Sequence, residues 1–126
     1  MKDVEGPIHR AILGYLRSTL PHAWIVQHCA NKPRSAMQGA REKAMGAISG
    51  WPDLAVFGQI DGAPRVFFLE VKPPRVSVPA HQREIHDRLR DIGFGVRVAR
   101  SVDDARLAVE AWGLPSLDAS IKHGDG

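Results

Sequence analysis

Apolar residues recur at every third or fourth position in three stretches of the chain, and this spacing predicts three amphipathic helices. The apolar positions of the first helix are Ile8, Ala11, Ile12, Tyr15 and Leu16. Those of the second are Ile85, Leu89 and Ile92, and those of the third are Ala105, Ala108, Val109 and Trp112. The first helix should end before Pro21 because a residue that precedes proline disfavours helical geometry. Gly93 and Gly113 should end the other two, since glycine readily adopts the left-handed conformation of a helix C-cap.

N-terminal signals precede the two later helices. Ser77 can cap the second helix with its hydroxyl group, and Pro79 suits the first turn because that turn needs no donor from its nitrogen. Ser101, followed three residues later by Asp104, resembles a capping box at the start of the third helix. Both helices therefore have a predicted starting point.

Four short apolar runs are predicted to be β-strands, at residues 23–28, 54–57, 65–71 and 96–99. The two middle strands are apolar on both alternating faces, which indicates a sheet covered on both sides. Between them, Asp61-Gly62 is a favoured pair for a two-residue hairpin turn. Because strand 65–71, a helix and strand 96–99 follow in order, these two strands should be parallel neighbours joined by a right-handed crossover. The predicted order is αβββαβα, an α/β fold whose mixed central sheet is flanked by helices.

Residues 30–50 form a long connection without a clear pattern. A helical stripe could be formed by Met37, Ala40, Ala44 and Ile48, but Gly39 and Gly46 weaken it, so we predict a functional or mobile loop. The basic residues of the segment are Lys32, Arg34, Arg41 and Lys43. Against the single Glu42 they sum to +3, which equals the net charge of the whole chain, 17 basic minus 14 acidic residues. The basic excess is therefore concentrated in this segment, as a solvated charged loop or as a nucleic-acid contact.

Length and composition limit the class of protein. A chain of 126 residues, 44% hydrophobic and 25% charged, is typical of one globular domain. No apolar run approaches the ~20 residues of a membrane-spanning helix, and no secretory signal is visible, so we expect a cytoplasmic protein. A single cysteine, Cys29, excludes an internal disulfide. We expect the domain to span residues 1–113 and to be followed by a flexible tail at residues 114–126.

Three charged residues converge at one end of the predicted hairpin. If the turn has two residues, counting outward from it places Asp53 opposite Glu70 on one face of the sheet. Side chains alternate along a strand, so Lys72 returns to that face and Val71 points into the opposite layer. Two acids and one amine therefore meet where a buried sheet ends.

This arrangement favours a metal site over a purely structural one. Facing carboxylates repel each other by ~4 kcal/mol at the effective dielectric of a partly buried site. Mg²⁺ prefers oxygen ligands, and Asp53, Glu70 and the carbonyl of Val71 supply them. A bound metal makes water easier to deprotonate, and Lys72 can orient the hydroxide and stabilise charge on phosphorus. The predicted chemistry is phosphodiester hydrolysis; the alternative is a surface hairpin whose charges are solvated.

The stretches "GWPDLAVF" and "FFLEVK", with the later helix that carries Gln82, resemble the PD-(D/E)xK nuclease superfamily. The resemblance is to its VRR-NUC (virus-type replication-repair nuclease) domains and covers about residues 1 to 112. The two-part signature is fairly specific, whereas "ExK" alone is not. It implies a restriction-endonuclease-like core and a Mg²⁺- or Mn²⁺-dependent DNA endonuclease, with Asp53 and Glu70 as metal ligands and Lys72 as the catalytic lysine.

The resemblance implies two further site residues. The family carries a glutamine on the helix after the lysine, which Gln82 matches, three residues before the inward-facing Ile85. The family's first helix carries a glutamate that reaches the metal, which Glu5 matches. Gly6-Pro7 departs from the usual pattern, and a residue close before proline could lie outside the helix. A capping or surface role for Gln82 stays open.

The resemblance and the distribution of charge together predict DNA and a second copy of the chain as partners. The basic residues Lys32, Arg34, Arg41 and Lys43 precede Asp53, where a DNA backbone must pass, and Arg75 is a further candidate for contact with phosphate. Small members of the class resemble four-way junction resolvases, which implies a homodimer acting on branched DNA. The alternatives are a non-cutting nucleic-acid-binding subunit that retains the fold and a metal-binding structural protein. His81 and His86 are five residues apart and share no helical face, so we expect no zinc site.

Overall fold

The computed structural model describes residues 3–30 and 35–121 of the chain. Its elements are helix α1 (Glu5–Thr19), strand β1 (Ile25–His28), helix α2 (Ala36–Ala44), strand β2 (Leu54–Ile60), strand β3 (Ala63–Val71), helix α3 (Ala80–Ile92), strand β4 (Gly95–Ala99) and helix α4 (Val102–Trp112). Within these described ranges no helix has the length and apolar character needed to cross a bilayer.

The four strands form one mixed sheet in the order β1-β2-β3-β4. The first three are antiparallel neighbours, and β4 runs parallel to β3, which confirms the predicted parallel pair. Asp61 and Gly62 have φ values of 53° and 80°, which is the geometry of the tight turn expected here. Ile60 pairs with Ala63 across this turn, so the predicted register of the hairpin is confirmed.

Helices cover both faces of the sheet. On one face α1 and α4 pack on a core that includes Ile12, Leu16, Val56, Leu69, Val71 and Val109. On the other face α3 packs on a smaller core formed by Ala55, Phe68, Ile85, Leu89 and Val96. Neighbouring strand positions thus alternate between two apolar layers. This confirms the predicted α/β fold with its flanked sheet.

The two hairpin strands are buried at one end only. Residues 67–71 of β3 are all buried, whereas residues 63–65 next to the turn are exposed. On β2, Phe57 is already exposed. The prediction that residues 54–57 and 65–71 are covered on both sides is therefore wrong near the turn, where Phe57 and Arg65 are exposed. The covered end is the end that carries Asp53 and Glu70.

Most helix ends lie where the sequence predicts them. Gly93 and Gly113 end α3 and α4 in the left-handed conformation. The Ser101 hydroxyl accepts a hydrogen bond from the Asp104 amide (3.1 Å), as expected for a cap. Ser77 does not cap α3, because the helix begins at Ala80 and its N-cap is Pro79, which makes no side-chain cap hydrogen bond. That part of the prediction is wrong.

Helix α2 is an additional element within the segment predicted to be a loop, so the observed order is αβαββαβα. The Ser35 hydroxyl caps it by accepting a hydrogen bond from the Gln38 amide (3.1 Å). Gly46 follows the helix with φ of 104°, and therefore lies beyond it and does not interrupt it. No residue of α2 is buried, so the helix is stabilised more by its local capping hydrogen bond than by packing against the sheet.

Residues 114–121 pack against the body of the domain, in contrast to the flexible tail that the sequence predicts. Leu114 and Ile121 are buried in the same core as α1 and α4. The Tyr15 hydroxyl donates a hydrogen bond to the Asp118 carboxylate, and the Leu117 amide donates one to the Thr19 carbonyl (2.6 Å). The remaining tail residues, 122–126, lie outside the described residues.

Candidate active site

Asp53, Glu70 and Lys72 lie together at the buried end of the hairpin. Leu54 pairs with Leu69, so one further step in this register sets Asp53 opposite Glu70. The exposed fractions of the three charged residues are only 3%, 0% and 7%. Charged residues are rarely buried to this degree without a partner or a function.

The Asp53 carboxylate is fixed between strands. Its Oδ2 atom accepts a hydrogen bond from the Val71 amide at 2.7 Å. The backbone carbonyl of Asp53 accepts another from the Cys29 amide, also at 2.7 Å. These two bonds join the residue before β2 to both neighbouring strands, so the carboxylate has a defined position.

The two oxygens of Glu70 have different surroundings. Oε1 lies 3.2 Å from Nε2 of His86, within hydrogen-bond distance, whereas the buried Oε2 has no hydrogen-bond partner. The pKa of Glu70 is raised to about 9, first by burial and then by the neighbouring Asp53, while the charge of Lys72 partly offsets these effects. Without a cation, the site therefore disfavours two ionised carboxylates.

Helix α3 carries two buried polar side chains, and one of them, His86, contacts Glu70. Gln82 and His86 are buried one turn apart, and Gln82 Oε1 has no hydrogen-bond partner. Burial lowers the pKa of His86, and the nearby Arg90 adds to this effect. The sequence interpretation missed His86 and placed Ile92 on the buried face, although Ile92 is 71% exposed. The observed buried stripe is Gln82, Ile85, His86 and Leu89, a 3–4–7 spacing that would have identified His86.

A close approach at Gly50 holds the Asp53 loop against α3. Gly50 is buried with φ of 88°, and a Cβ atom there would lie 2.7 Å from the backbone oxygen of His81. Only glycine permits this contact without displacement of the backbone. The loop that precedes Asp53 thus rests on the helix turn that carries Gln82.

A cleft beside Asp53 contains Glu5. Helix α1 begins at Glu5, because proline is tolerated within the first turn of a helix; Gly6-Pro7 therefore does not exclude Glu5 from the helix. The cleft has a volume of about 550 Å³. The residues that line it are Asp3, Glu5, Gly6, His9, Leu13, His28, Ala30 and Asp53. The His9 and His28 rings meet edge to face, with centroids 4.8 Å apart, and His28 was not singled out in the sequence.

Comparison with known proteins identifies the architecture. No family model and no curated protein matches the chain. A solved "VRR_NUC domain protein" is similar at TM-score 0.68 and 19% identity, and the match covers 97% of this chain and 98% of that one. A solved "VRR_NUC domain" is similar at TM-score 0.60 and 22% identity, covering 88% of this chain and 99% of that one. This chain has the VRR-NUC fold. The fold implied by "GWPDLAVF" and "FFLEVK" is confirmed.

The polar end of this VRR-NUC fold has donors that suit a hard cation. Among residues 3–30 and 35–121, no three or more His, Cys, Asp or Glu side chains form a group able to hold a metal ion, so Glu5 does not complete such a group. Mg²⁺, however, commonly binds through one or two carboxylates and keeps several waters. Asp53 and the partnerless Oε2 of Glu70 fit that donor set. The Val71 N–H points towards Asp53. Because the N–H and carbonyl of a strand residue point to the same side, the Val71 carbonyl also points towards Asp53.

The basic residues predicted to bind DNA are not all described. Lys32 and Arg34 lie outside the described residues. Arg41 and Lys43 are exposed on the last turn of α2, where Lys43 borders a cleft of about 730 Å³ together with Cys29 and Trp51. Arg75 is exposed three residues after Lys72, with an unusual positive φ of 67°.

Proposed function

We propose that this protein is a DNA endonuclease that uses Mg²⁺ or Mn²⁺ to hydrolyse phosphodiester bonds. One observation carries the proposal: Asp53, Glu70 and Lys72 are buried together, and one oxygen of Glu70 lacks a partner. Leaving a buried carboxylate oxygen unpaired costs free energy, which a cation would offset. The similar solved structures are named as VRR_NUC domains, which supports nuclease chemistry at this site.

The ligands that we assign to the metal are Asp53, Glu70 and the backbone carbonyl of Val71, with Glu5 nearby. When bound, the ion supplies Lewis-acid chemistry, since it lowers the pKa of water and stabilises charge on a phosphate. Lys72 contributes a fixed ammonium group next to Glu70, which can orient the attacking water and attract the phosphate. The partnerless Gln82 Oε1 can accept a hydrogen bond from that water.

We assign DNA binding to the basic residues Lys32, Arg34, Arg41, Lys43 and Arg75. Arg41 and Lys43 are solvent-exposed, and Lys43 lines the cleft that borders Trp51, two residues before Asp53. Arg75 adopts a left-handed conformation that costs of order 1–3 kcal/mol for a residue other than glycine. Such strain occurs more often at functional sites, and it supports a phosphate contact close to Lys72.

We further propose that branched DNA, such as a four-way junction, is the preferred substrate. Resolving a junction requires two cuts, and two copies of the chain would supply two active sites. The homodimer is therefore part of the proposal, and measurement of the molecular mass of the active species on DNA tests it.

A cleavage assay tests the function. The purified protein would be incubated with supercoiled plasmid, flaps and four-way junctions in Mg²⁺, in Mn²⁺ or with chelator. We expect cleavage that requires metal and is lost in Asp53→Asn, because the substitution removes a charged ligand. The matched control is Asp61→Asn, the same change at the exposed turn of the same hairpin.

Two outcomes would contradict the proposal. Cleavage that persists in chelator, or in Asp53→Asn, would exclude the assigned metal site. Metal-replete protein that binds DNA and cuts none of the substrates would instead favour the non-cutting nucleic-acid-binding subunit.

A further inference from the structure

His86 is a buried polar residue that the assigned chemistry does not yet use. It lies on α3, one turn after Gln82, and is only 2% exposed. Its Nε2 atom lies 3.2 Å from Oε1 of Glu70. The histidine therefore faces a side chain that we assign to the metal, while Ile85 and Leu89 of the same helix face the apolar core.

The contact with His86 makes the two oxygens of Glu70 inequivalent. Oε1 is engaged by the imidazole, and Oε2 is buried without a partner. A carboxylate held by one oxygen cannot rotate freely about its terminal bond. The free oxygen is thereby given a fixed direction.

Metal-binding carboxylates are commonly hydrogen-bonded by a second group, and loss of that group typically weakens metal affinity or activity by 10–100-fold. An imidazole N–H can serve this purpose because it donates along a fixed direction from a ring that packing holds in place. The backbone at Gly50 lies close to His81 and Gln82 in the first turn of α3, and this contact helps to hold the helix that carries His86.

We propose that His86 is a positioning residue: it holds Oε1 of Glu70 so that Oε2 is presented to the divalent cation. The inference rests on the proposed function, since it assumes that Glu70 binds the metal. It assigns His86 a role through Glu70 only, without contact with DNA or with the reacting phosphate.

Mn²⁺ binding to the full chain, measured by isothermal titration calorimetry without DNA, tests the inference. His86→Phe keeps a ring of similar size and removes the hydrogen bond, so we expect the Kd for Mn²⁺ to rise 10–100-fold. His86→Gln keeps an N–H donor at a similar reach and should restore binding to within about threefold of wild type. The control is His81→Phe, the same change at an exposed histidine of α3, which should bind like wild type.

A second readout separates positioning from packing. The cleavage rate of His86→Phe should recover at saturating Mn²⁺, because the ligands themselves remain. Thermal unfolding in chelator would confirm that each variant is folded. If His86→Phe does not fold, His86→Ala compared with His86→Gln provides the same contrast.

The outcomes distinguish the two proposals. An unchanged Kd in folded His86→Phe, or a loss of affinity that His86→Gln does not restore, would overturn the role of His86 while wild type still binds metal and cuts DNA. Wild-type protein that neither binds Mn²⁺ nor cuts DNA would contradict the proposed function itself.

Discussion

The buried end of the sheet and helix α2 differ in how their charged residues are held. At the sheet end, Asp53 and Glu70 are excluded from water and contact defined partners, the Val71 amide and His86. On α2 no residue is buried, and even Met37 is 83% exposed. Polar groups in the first region act through fixed geometry at low dielectric, whereas charges in the second act through a screened field.

Substitutions in the two regions should therefore differ in the size and the kind of their effects. When a buried polar group loses its hydrogen-bond partner, water cannot easily take the partner's place. One substitution at the sheet end should therefore have a large and specific effect. Each exposed basic side chain contributes one of several contacts with DNA phosphates. Removing it should therefore weaken DNA binding by a small, salt-dependent amount. The two regions are therefore separable by experiment.

The largest expected difference is between two separate lysine-to-alanine variants, one in each region. Lys72→Ala should lower the cleavage rate at saturating DNA by at least about 10²-fold, because it removes the fixed ammonium group that we assign to orienting the water and stabilising charge on the phosphate. Lys43→Ala should leave that rate within about twofold and weaken binding instead. Single-turnover kinetics with a DNA titration separates rate from binding. Full activity of Lys72→Ala in Mg²⁺ would remove the distinction between the regions.

An intermediate effect is expected from neutralising the basic face of α2. Replacement of Arg41 and Lys43 by alanine should reduce the slope of log K against log salt by about 1.8, at ~0.9 per phosphate contact. Adding Lys32→Ala and Arg34→Ala should double the change. Arg65→Ala with Arg88→Ala, two exposed arginines elsewhere, is the matched control. Equal slopes for both double variants would locate the DNA path away from α2.

The smallest expected effect concerns two glycines with positive φ. Gly50 and Gly46 have φ of 88° and 104°, but a Cβ atom would meet the backbone of α3 only at Gly50. Gly50→Ala should lower the free energy of unfolding by about 1–3 kcal/mol more than Gly46→Ala, because it adds an overpacking cost to the same conformational cost. Chemical denaturation measures both. Similar values would mean that the Asp53 loop moves away from α3 without cost.

The parts of the fold and site that the sequence predicts are those controlled by short-range rules. A two-residue turn fixes the hairpin register, so the convergence of Asp53, Glu70 and Lys72 can be deduced by counting from Asp61-Gly62. Glycine C-caps likewise fix the ends of α3 and α4.

What could not be predicted depends on contacts between distant elements or on context. Helix periodicity places His86 on the buried stripe of α3, but it does not reveal that Glu70, sixteen positions earlier, faces it. Helix α2 lacks a buried face, so hydrophobic spacing carries little signal there. Ile92 is exposed because α3 extends beyond the apolar layer that covers its first turns.

The hydrogen bond between Tyr15 and Asp118 has a mechanical consequence for the opposite end of α1. Glu5 lies ten residues before Tyr15, about 15 Å away along the helix axis. Because α1 is one continuous helix, this contact with the carboxyl-terminal segment helps to fix the position of the helix, and with it the position of Glu5. Tyr15 and Asp118 do not line the cleft, yet through the helix they help to hold one of its acidic residues in place.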